Sequence, residues 1–449
     1  MRVATTSRKE LGQQHLRFDP AFYLGRERAR SIVNGTSSRQ VRLGDIVDSI
    51  HDGARLPAAC SGLPLIRLNN VRSCELDLSD LAQVDGSVGR WVGVRPGDVL
   101  FTRAAQPFRA AAARTGLPAE LAVSSELAII RPRPAVLPEY LAAILCTPTL
   151  NEFLRDLAYR GQASALPRLR ISDIQRLPIP LPPRSLQESL GRQYQQAVQL
   201  TLEARSEIGL VAKAIHAEID HRIPVVEVPG GCSEVRRTML SERWDVPFNR
   251  GRLLRETLSS VACMRPLFDL ARPGASSLRG LTDDEDVFLV QADDVNDATF
   301  LVEGGEHRLL ADLSSRMRQR LEIGDVLMCT TGSGDQVAYL DDELEHGGRP
   351  ILGSATLTIL RFPETPRVFA VTLTHPLVRV QLRLLSSGSV QRFVNKRDLD
   401  ELLVPVLGQV WREDFEVRLT RAMQQRREAL IARAALIKAA DDYLQEVMP

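Results

Sequence analysis

Short apolar runs closed by glycine, proline or aspartate alternate with polar stretches over most of the chain, and twice that alternation gives way to a sustained heptad period. Runs such as Leu65–Ile66–Leu68 and Val326–Leu327–Met328 predict strands bounded by turns. Broader apolar patterning predicts one helix over residues 138–159 and another over 367–387. Between 186 and 220 the positions Leu190, Tyr194, Ala197, Thr201, Ala204, Ile208, Val211, Ile215 and Ile219 step mostly by alternating four and three. Between 411 and 448 Phe415, Leu419, Ala422, Arg426, Leu430, Arg433, Ile437, Ala440, Leu444 and Val447 do nearly the same. A heptad seam of this kind predicts two long helices, each roughly 50 Å at about 1.5 Å per residue. A helix that long with one apolar stripe needs a partner, and the obvious one is its twin.

The same plan is written twice. RFDPAF (17–22) recurs as RWDVPF (243–248), RLGDI (42–46) as PLFDL (266–270), and LIRLNNV (65–71) as LVQADDV (289–295). GDVLF (97–101) answers GDVLM (324–328), ELAIIRP (126–132) answers TLTILRF (356–362), and ISDIQRLPIP (171–180) answers KRDLDELLVP (396–405). Six correspondences in one order at nearly one offset make a tandem repeat of an α+β domain, each copy followed by a long helix. The boundaries read as an N-terminal tail (1–16), a first domain (17–185), its helix (186–222), a linker (223–242), a second domain (243–410) and its helix (411–449). Pro178, Pro180, Pro182 and Pro183 lead into the first helix, and because proline fixes φ and lacks an N–H they predict a stiff, extended exit from the domain. The second exit, VPVLGQVWREDF, has one proline in place of four.

Composition narrows the class. At 449 residues, 44% hydrophobic and 25% charged, the chain is long enough for several cores and ordinary for a globular protein. No apolar run approaches the roughly 18 residues of a membrane span, and the opening MRVATTSRKELGQQ has no apolar core of a secretory signal, so a cytoplasmic location without membrane contact is expected. Net charge is +1, but residues 1–222 carry 29 Lys+Arg against 22 Asp+Glu and the remainder 28 against 34, so the first half is the basic one. The six cysteines are scattered singly, without C-x-x-C, and predict reduced thiols rather than a metal site. His216 and His221 lie five apart where helical metal ligands want four, and read as solvated helix residues. The acidic pairs Asp283–Asp284 and Asp341–Asp342 read as solvated turns. Neither a phosphate loop, a nucleophile elbow nor the D/N/S-P-P-Y/F loop of base methyltransferases is present, so no catalysis by this chain is expected.

The order domain, proline strap, long helix, domain, strap, long helix resembles the DNA-specificity subunit of Type I restriction-modification systems. The resemblance rests on RFDPAF and RWDVPF, on GDVLMCTTGSGDQVAYL (324–340) and on ISDIQRLPIPLPPRSLQESL, and runs over nearly the whole chain. GDVLFTRAAQPFRAAAA (97–113) departs from it by lacking the paired glycines of the second copy. The resemblance implies two tandem α+β target recognition domains whose helices pair as an antiparallel coiled coil. It implies double-stranded DNA, two methyltransferase subunits and restriction (helicase-nuclease) subunits as partners, with S-adenosylmethionine on the methyltransferase and no cofactor here. The alternatives are a related DNA-recognition subunit of another phage-defence assembly and a scaffold that does not bind DNA.

DNA affinity needs cations near phosphates, and specificity needs forked or amide side chains at base edges. In the first copy the basic segment 155–176 offers Arg160, Gln162, Ser164, Arg168 and Arg170, and its counterpart 386–398 offers Gln391, Arg392, Asn395, Lys396 and Arg397. The loop after each GDVL strand is the second candidate, with Thr102, Arg103, Gln106 and Arg109 in one copy and Thr330, Thr331, Ser333 and Gln336 in the other. Asn69, Asn70 and Arg72, answered by Asp293 and Asp294, form a weaker third group. From the missing motifs, the purified chain is expected to show no S-adenosylmethionine binding by calorimetry and no methyl transfer to DNA; stoichiometric binding would contradict this.

Overall fold

The computed structural model describes residues 40–104, 107–158, 168–224, 246–274, 278, 280–331, 336–342, 344, 346–387, 393–395 and 397–447. The chain divides into two compact units, one running up to Thr201 and resuming at Glu428, the other comprising Leu202–Arg427. Each of the two long helices, Arg184–Arg222 and Gln409–Val447, is 39 residues long and contributes to both units. In the first unit Leu190 and Tyr194, near the start of one helix, share a core with Leu436, Ala440 and Leu444, near the end of the other. In the second unit Ile208, Val211, Ile215 and Ile219 share a core with Phe415, Leu419 and Ala422. Each unit therefore combines the start of one long helix with the end of the other.

The strand topology repeats. In the first unit a four-stranded antiparallel sheet has the order Val47–Asp52, Leu127–Pro132, Val99–Thr102, Ala110–Ala112. In the second the order Arg272–Pro273, Leu357–Arg361, Val326–Cys329, Val337–Tyr339 is the same, extended by Leu301–Val302 and Val295–Asn296. Leu100 faces Ile129 across the first sheet as Leu327 faces Ile359 across the second. A further sheet in each unit has a central strand, Ala58–Ile66 or Asp286–Val290, with one antiparallel and one parallel neighbour. The mixed α+β tandem architecture is thus borne out strand by strand.

The proline strap is a strand in both copies. Pro178–Pro180 pairs antiparallel with Gln40–Arg42, and Leu403–Pro405 with Met264–Pro266. Each is one side of a two-stranded sheet, where a missing outward N–H costs no ladder bond. The Tyr140 hydroxyl donates to the Pro180 carbonyl at 2.5 Å, and the Gln187 amide, in the first turns of the helix, donates to the Pro182 carbonyl at 3.2 Å. In the second copy the Gln381 amide donates to the Leu403 carbonyl at 2.9 Å and accepts from its N–H at 3.0 Å. The single-proline strap is thus held by a side chain that bonds as a neighbouring strand would.

The helix bounds and the second seam differ from expectation. Each single helix expected at 138–159 and 367–387 is a pair, Pro138–Leu145 with Pro148–Leu157 and Pro366–Thr372 with Pro376–Leu385, the second pair bent by 68°. Proline at the first helical position has no N–H to give and its ring excludes the preceding helical carbonyl. The break is capped by side chains, Thr147 accepting from the Leu150 N–H and His375 from the Leu377 N–H, each at 3.3 Å. The seam of the second helix also differs: Ala429 and Leu436 are fully buried, whereas Leu430 and Ile437 are only partly so. The strict alternation of four and three continues through Arg426, Ala429, Arg433 and Leu436, because the two arginines occupy seam positions as ion pairs.

Arg426 has 0% exposure, and its Nε and Nη2 donate to the Glu303 carboxylate at 2.7 and 2.9 Å. Glu303 also accepts from Asn296 at 2.9 Å and from the Thr299 hydroxyl at 2.7 Å, so every group of this buried network is engaged. Arg427 donates to Asp341 at 2.7 Å and to the Val302 carbonyl at 2.8 Å, which makes Asp341 a buried anchor and not the solvated turn residue expected. Arg433 pairs with Glu75 at 2.5 Å in the first unit. His216 is likewise engaged: its ring meets His375 edge-on at 5.1 Å and bonds the Val371 carbonyl at 3.2 Å.

Arg426→Met leaves the Glu303 charge buried without its partner and is expected to cost about 3–5 kcal/mol, whereas replacing both residues by methionine recovers most of the loss; denaturant unfolding of the three variants measures it. A second expectation concerns pH. Burial pushes both His216 and His375 down, aided at His216 by Arg379 and at His375 by His216, and opposed at both by Asp220. The unfolded chain then takes up protons that the folded chain refuses, so stability is full above about pH 6.5 and is lost as pH falls below it. His375→Gln is expected to flatten the profile of unfolding free energy between pH 7.5 and about 5.5.

Candidate nucleic-acid interface

The GD pair of each copy is a turn device. Gly97 and Gly324 take φ of 89° and 97°, open to glycine and strained for other residues. Asp98 accepts from the Arg95 N–H and Asp325 from the Glu322 N–H, each at 2.8 Å. The same carboxylates then hold Arg131 at 2.7 Å and Arg361 at 2.8 Å, arginines from the neighbouring strand. Burial raises the Asp325 carboxyl, against the lowering by Arg361. These contacts launch the strands Val99–Thr102 and Val326–Cys329, whose ends carry the candidate residues.

At those ends the two candidate loops of each copy meet. The Arg103 N–H donates to the Glu126 carbonyl at 2.7 Å, and the Arg103 carbonyl accepts from Leu169 at 2.9 Å. In the second unit the Thr330 N–H donates to Thr356 at 3.0 Å, and the Thr330 carbonyl accepts from Val394 at 2.9 Å. Segments more than sixty residues apart in sequence are thereby joined into one site, by the same pair of main-chain bonds in both copies.

The chemistry of the two junctions differs. In the first, Arg103 bonds the Leu169 carbonyl at 3.2 Å and pairs with Asp52, Arg168 bonds the Ser125 carbonyl at 3.3 Å, and Arg55 reaches the Ser125 hydroxyl at 3.4 Å. Burial and then the neighbouring Arg168 charge push Arg103 down. Arg109 closes the hairpin, its N–H on the Thr102 hydroxyl at 2.7 Å, and Arg170 is exposed before the short helix Ile171–Gln175. Sequence reasoning missed Arg55, Asp52 and Ser125. The signal was Gly53 in HDGAR, where a Cβ would stand 2.0 Å from the Ser124 carbonyl oxygen, so only glycine permits this approach of the two loops.

In the second junction Thr330 is buried with its hydroxyl on the Thr356 carbonyl at 3.2 Å, and Thr331 is half-buried and bridged to Phe393. The Gln336 carbonyl accepts from Cys329 at 2.9 Å, continuing the hairpin. Asn395 is exposed and lies 3.4 Å from Asp398, and Arg397 is exposed beside it. Gln106, Arg160, Gln162, Ser164, Ser333, Gln391, Arg392 and Lys396 lie outside the described residues. The third group resolves differently from expectation: Asn70 is buried, accepting from the Arg67 N–H at 2.8 Å and donating to the Asp77 and Asp80 carbonyls at 3.1 and 3.0 Å. Asp294 accepts from Gln291 at 2.8 Å in the same way, so Asn70 and Asp294 each cap a turn, while their neighbours Asn69 and Asp293 are exposed.

No family model and no curated protein matches the chain. Among solved structures it is similar to S subunits of Type I restriction-modification systems. The HsdS subunit from Thermoanaerobacter tengcongensis is 17% identical, with 91% of this chain and 96% of that chain covered and a TM-score of 0.29. The Type I S subunit from M. genitalium is 13% identical, with 93% and 97% covered and a TM-score of 0.36. A chain from a structure concerning complex assembly and conformational transition of the type I R-M system is 15% identical, with 92% and 98% covered and a TM-score of 0.30.

Arg55 and Arg170 are exposed and Arg168 is half-buried, so the fold is expected to tolerate alanine at all three. The triple variant is expected to weaken binding to all duplexes alike and to reduce the slope of log affinity against log salt by up to about 2.7, roughly 0.9 per lost phosphate contact. Titrations at increasing salt measure it; an unchanged slope would move the phosphate contacts elsewhere.

Proposed function

We propose that the chain is the sequence-reading subunit of a Type I restriction-modification complex, with residues 17–185 and 243–410 as its recognition domains. The observation that carries this reading is the repeated junction: in each of two tandem domains one pair of main-chain bonds gathers two loops at the same strand end. The resemblance of the strap and helix order to that family supplies the assembly. The subunit performs no chemistry. It places methyltransferase subunits, which bring S-adenosylmethionine, and restriction subunits at the site it reads.

The two junctions carry different side chains, Arg55, Arg103 and Arg168 against Thr331, Phe393 and Asn395, and two unlike readers call for two unlike words. The reading carries unread bases between the two words, their centres on the order of one turn of DNA apart. Mapping modified adenines across the host genome, before and after deletion of this gene, tests the reading. A bipartite asymmetric motif with an unread gap, lost on deletion, is expected. A continuous or palindromic motif, or one that survives deletion, would contradict it.

A further inference from the structure

Phe393 is 43% exposed, and its backbone prevents the ring from turning inward. Its N–H donates to the Ser387 carbonyl at 2.9 Å and its carbonyl accepts from Ser387 at 2.8 Å. The next residue, Val394, is buried and tied to the Thr330 carbonyl at 2.9 Å. In an extended segment successive side chains point to opposite faces, so seating Val394 in the core holds Phe393 out. The first copy has the same fixture: Leu169 is buried and tied to the Arg103 carbonyl at 2.9 Å, and the preceding residue is Arg168. One position of the repeat thus presents a guanidinium in one domain and a phenyl ring in the other. A ring held in water forgoes the favourable free energy of burial, and a contact with an apolar group recovers it.

We infer that Phe393 reads a base in the second domain, its ring contacting the 5-methyl group of a thymine in the major groove. The inference rests on the DNA-reading function proposed above. That methyl is the apolar feature which base pairs show in the major groove, and phenylalanine is among the side chains that contact it. Asn395, exposed beyond the buried Val394, carries the amide that pairs with adenine, so the two side chains suit the two halves of one A·T pair.

The experiment uses the complex purified from the host and duplexes bearing the mapped motif, with each thymine replaced in turn by deoxyuridine, which lacks only the methyl. For the wild type, one such replacement is expected to weaken binding about fourfold, the ratio set by one methyl group's transfer free energy. In Phe393→Ala the same replacement is expected to cost nothing, and Phe393→Leu, still apolar, keeps part of the effect. Circular dichroism and melting of both variants confirm the fold. Equal penalties in wild type and Phe393→Ala at every thymine, or a motif without thymine, overturn the inference and leave the proposed function standing. A Phe393→Ala complex that reads DNA unchanged but loses its methyltransferase subunit assigns the ring to a protein interface and overturns it too. A wild-type complex without sequence-selective binding defeats the proposed function itself.

Discussion

Arg426 occupies a seam position of the second long helix without solvent exposure, and its guanidinium is the donor around which Glu303, Asn296 and Thr299 are arranged. A buried ion pair is a poor source of net stability, because two charges must leave water. It is a strong source of register, since sliding the helix by one turn would strand both charges. Glu303 follows the strand Leu301–Val302, and Val302 itself accepts from Arg427, so helix and sheet are fixed at consecutive residues on each side. In the first unit Glu75, from the corresponding hairpin, is held by Arg433, one heptad further along the same helix. Both domains are therefore fastened by guanidinium groups of the C-terminal helix, although each copy brings a helix of its own.

The two copies share a scaffold and differ in what it displays. Turn caps at Asn70 and Asp294 and carboxylates at Asp98 and Asp325 recur with the same bonds, and helix breaks recur at Pro148 and Pro376 with different caps, a Thr147 hydroxyl in one and a His375 ring nitrogen in the other. The junctions of Arg103 and Thr330 also recur, yet they are made by main-chain atoms. A site closed by backbone bonds leaves its side chains free to vary, and here they vary from a cationic cluster to hydroxyls with an exposed ring. Repeated architecture with unlike surfaces is what the proposed reading of two unlike words along one polymer requires.

Much of this was legible in the sequence, and the exceptions share a cause. Strands were marked by apolar runs between turn residues, and the first helix seam by nine positions that are all buried. Errors fell where one residue type serves two roles. Asn70 reads as a base-recognition amide because the same donor and acceptor pair also caps a turn. Asp341 reads as a solvated turn residue because nothing in its neighbourhood names Arg427, 86 residues away, as its partner. The proline strap is extended, as expected, but its pairing strand, Gln40–Arg42, lies well over a hundred residues earlier and left no local sign.

The sequence by itself determined the tandem plan, the element types and the long helices, because periodicity and turn chemistry act over a few residues and leave a local record. Only the tertiary structure decided which helix fastens which domain, where the second seam runs, and which loops form one site. Those outcomes depend on partners far apart in the chain. A carboxylate reaching Arg426 or a carbonyl meeting Leu169 is selected by the geometry of the fold, and no local pattern of residues encodes it.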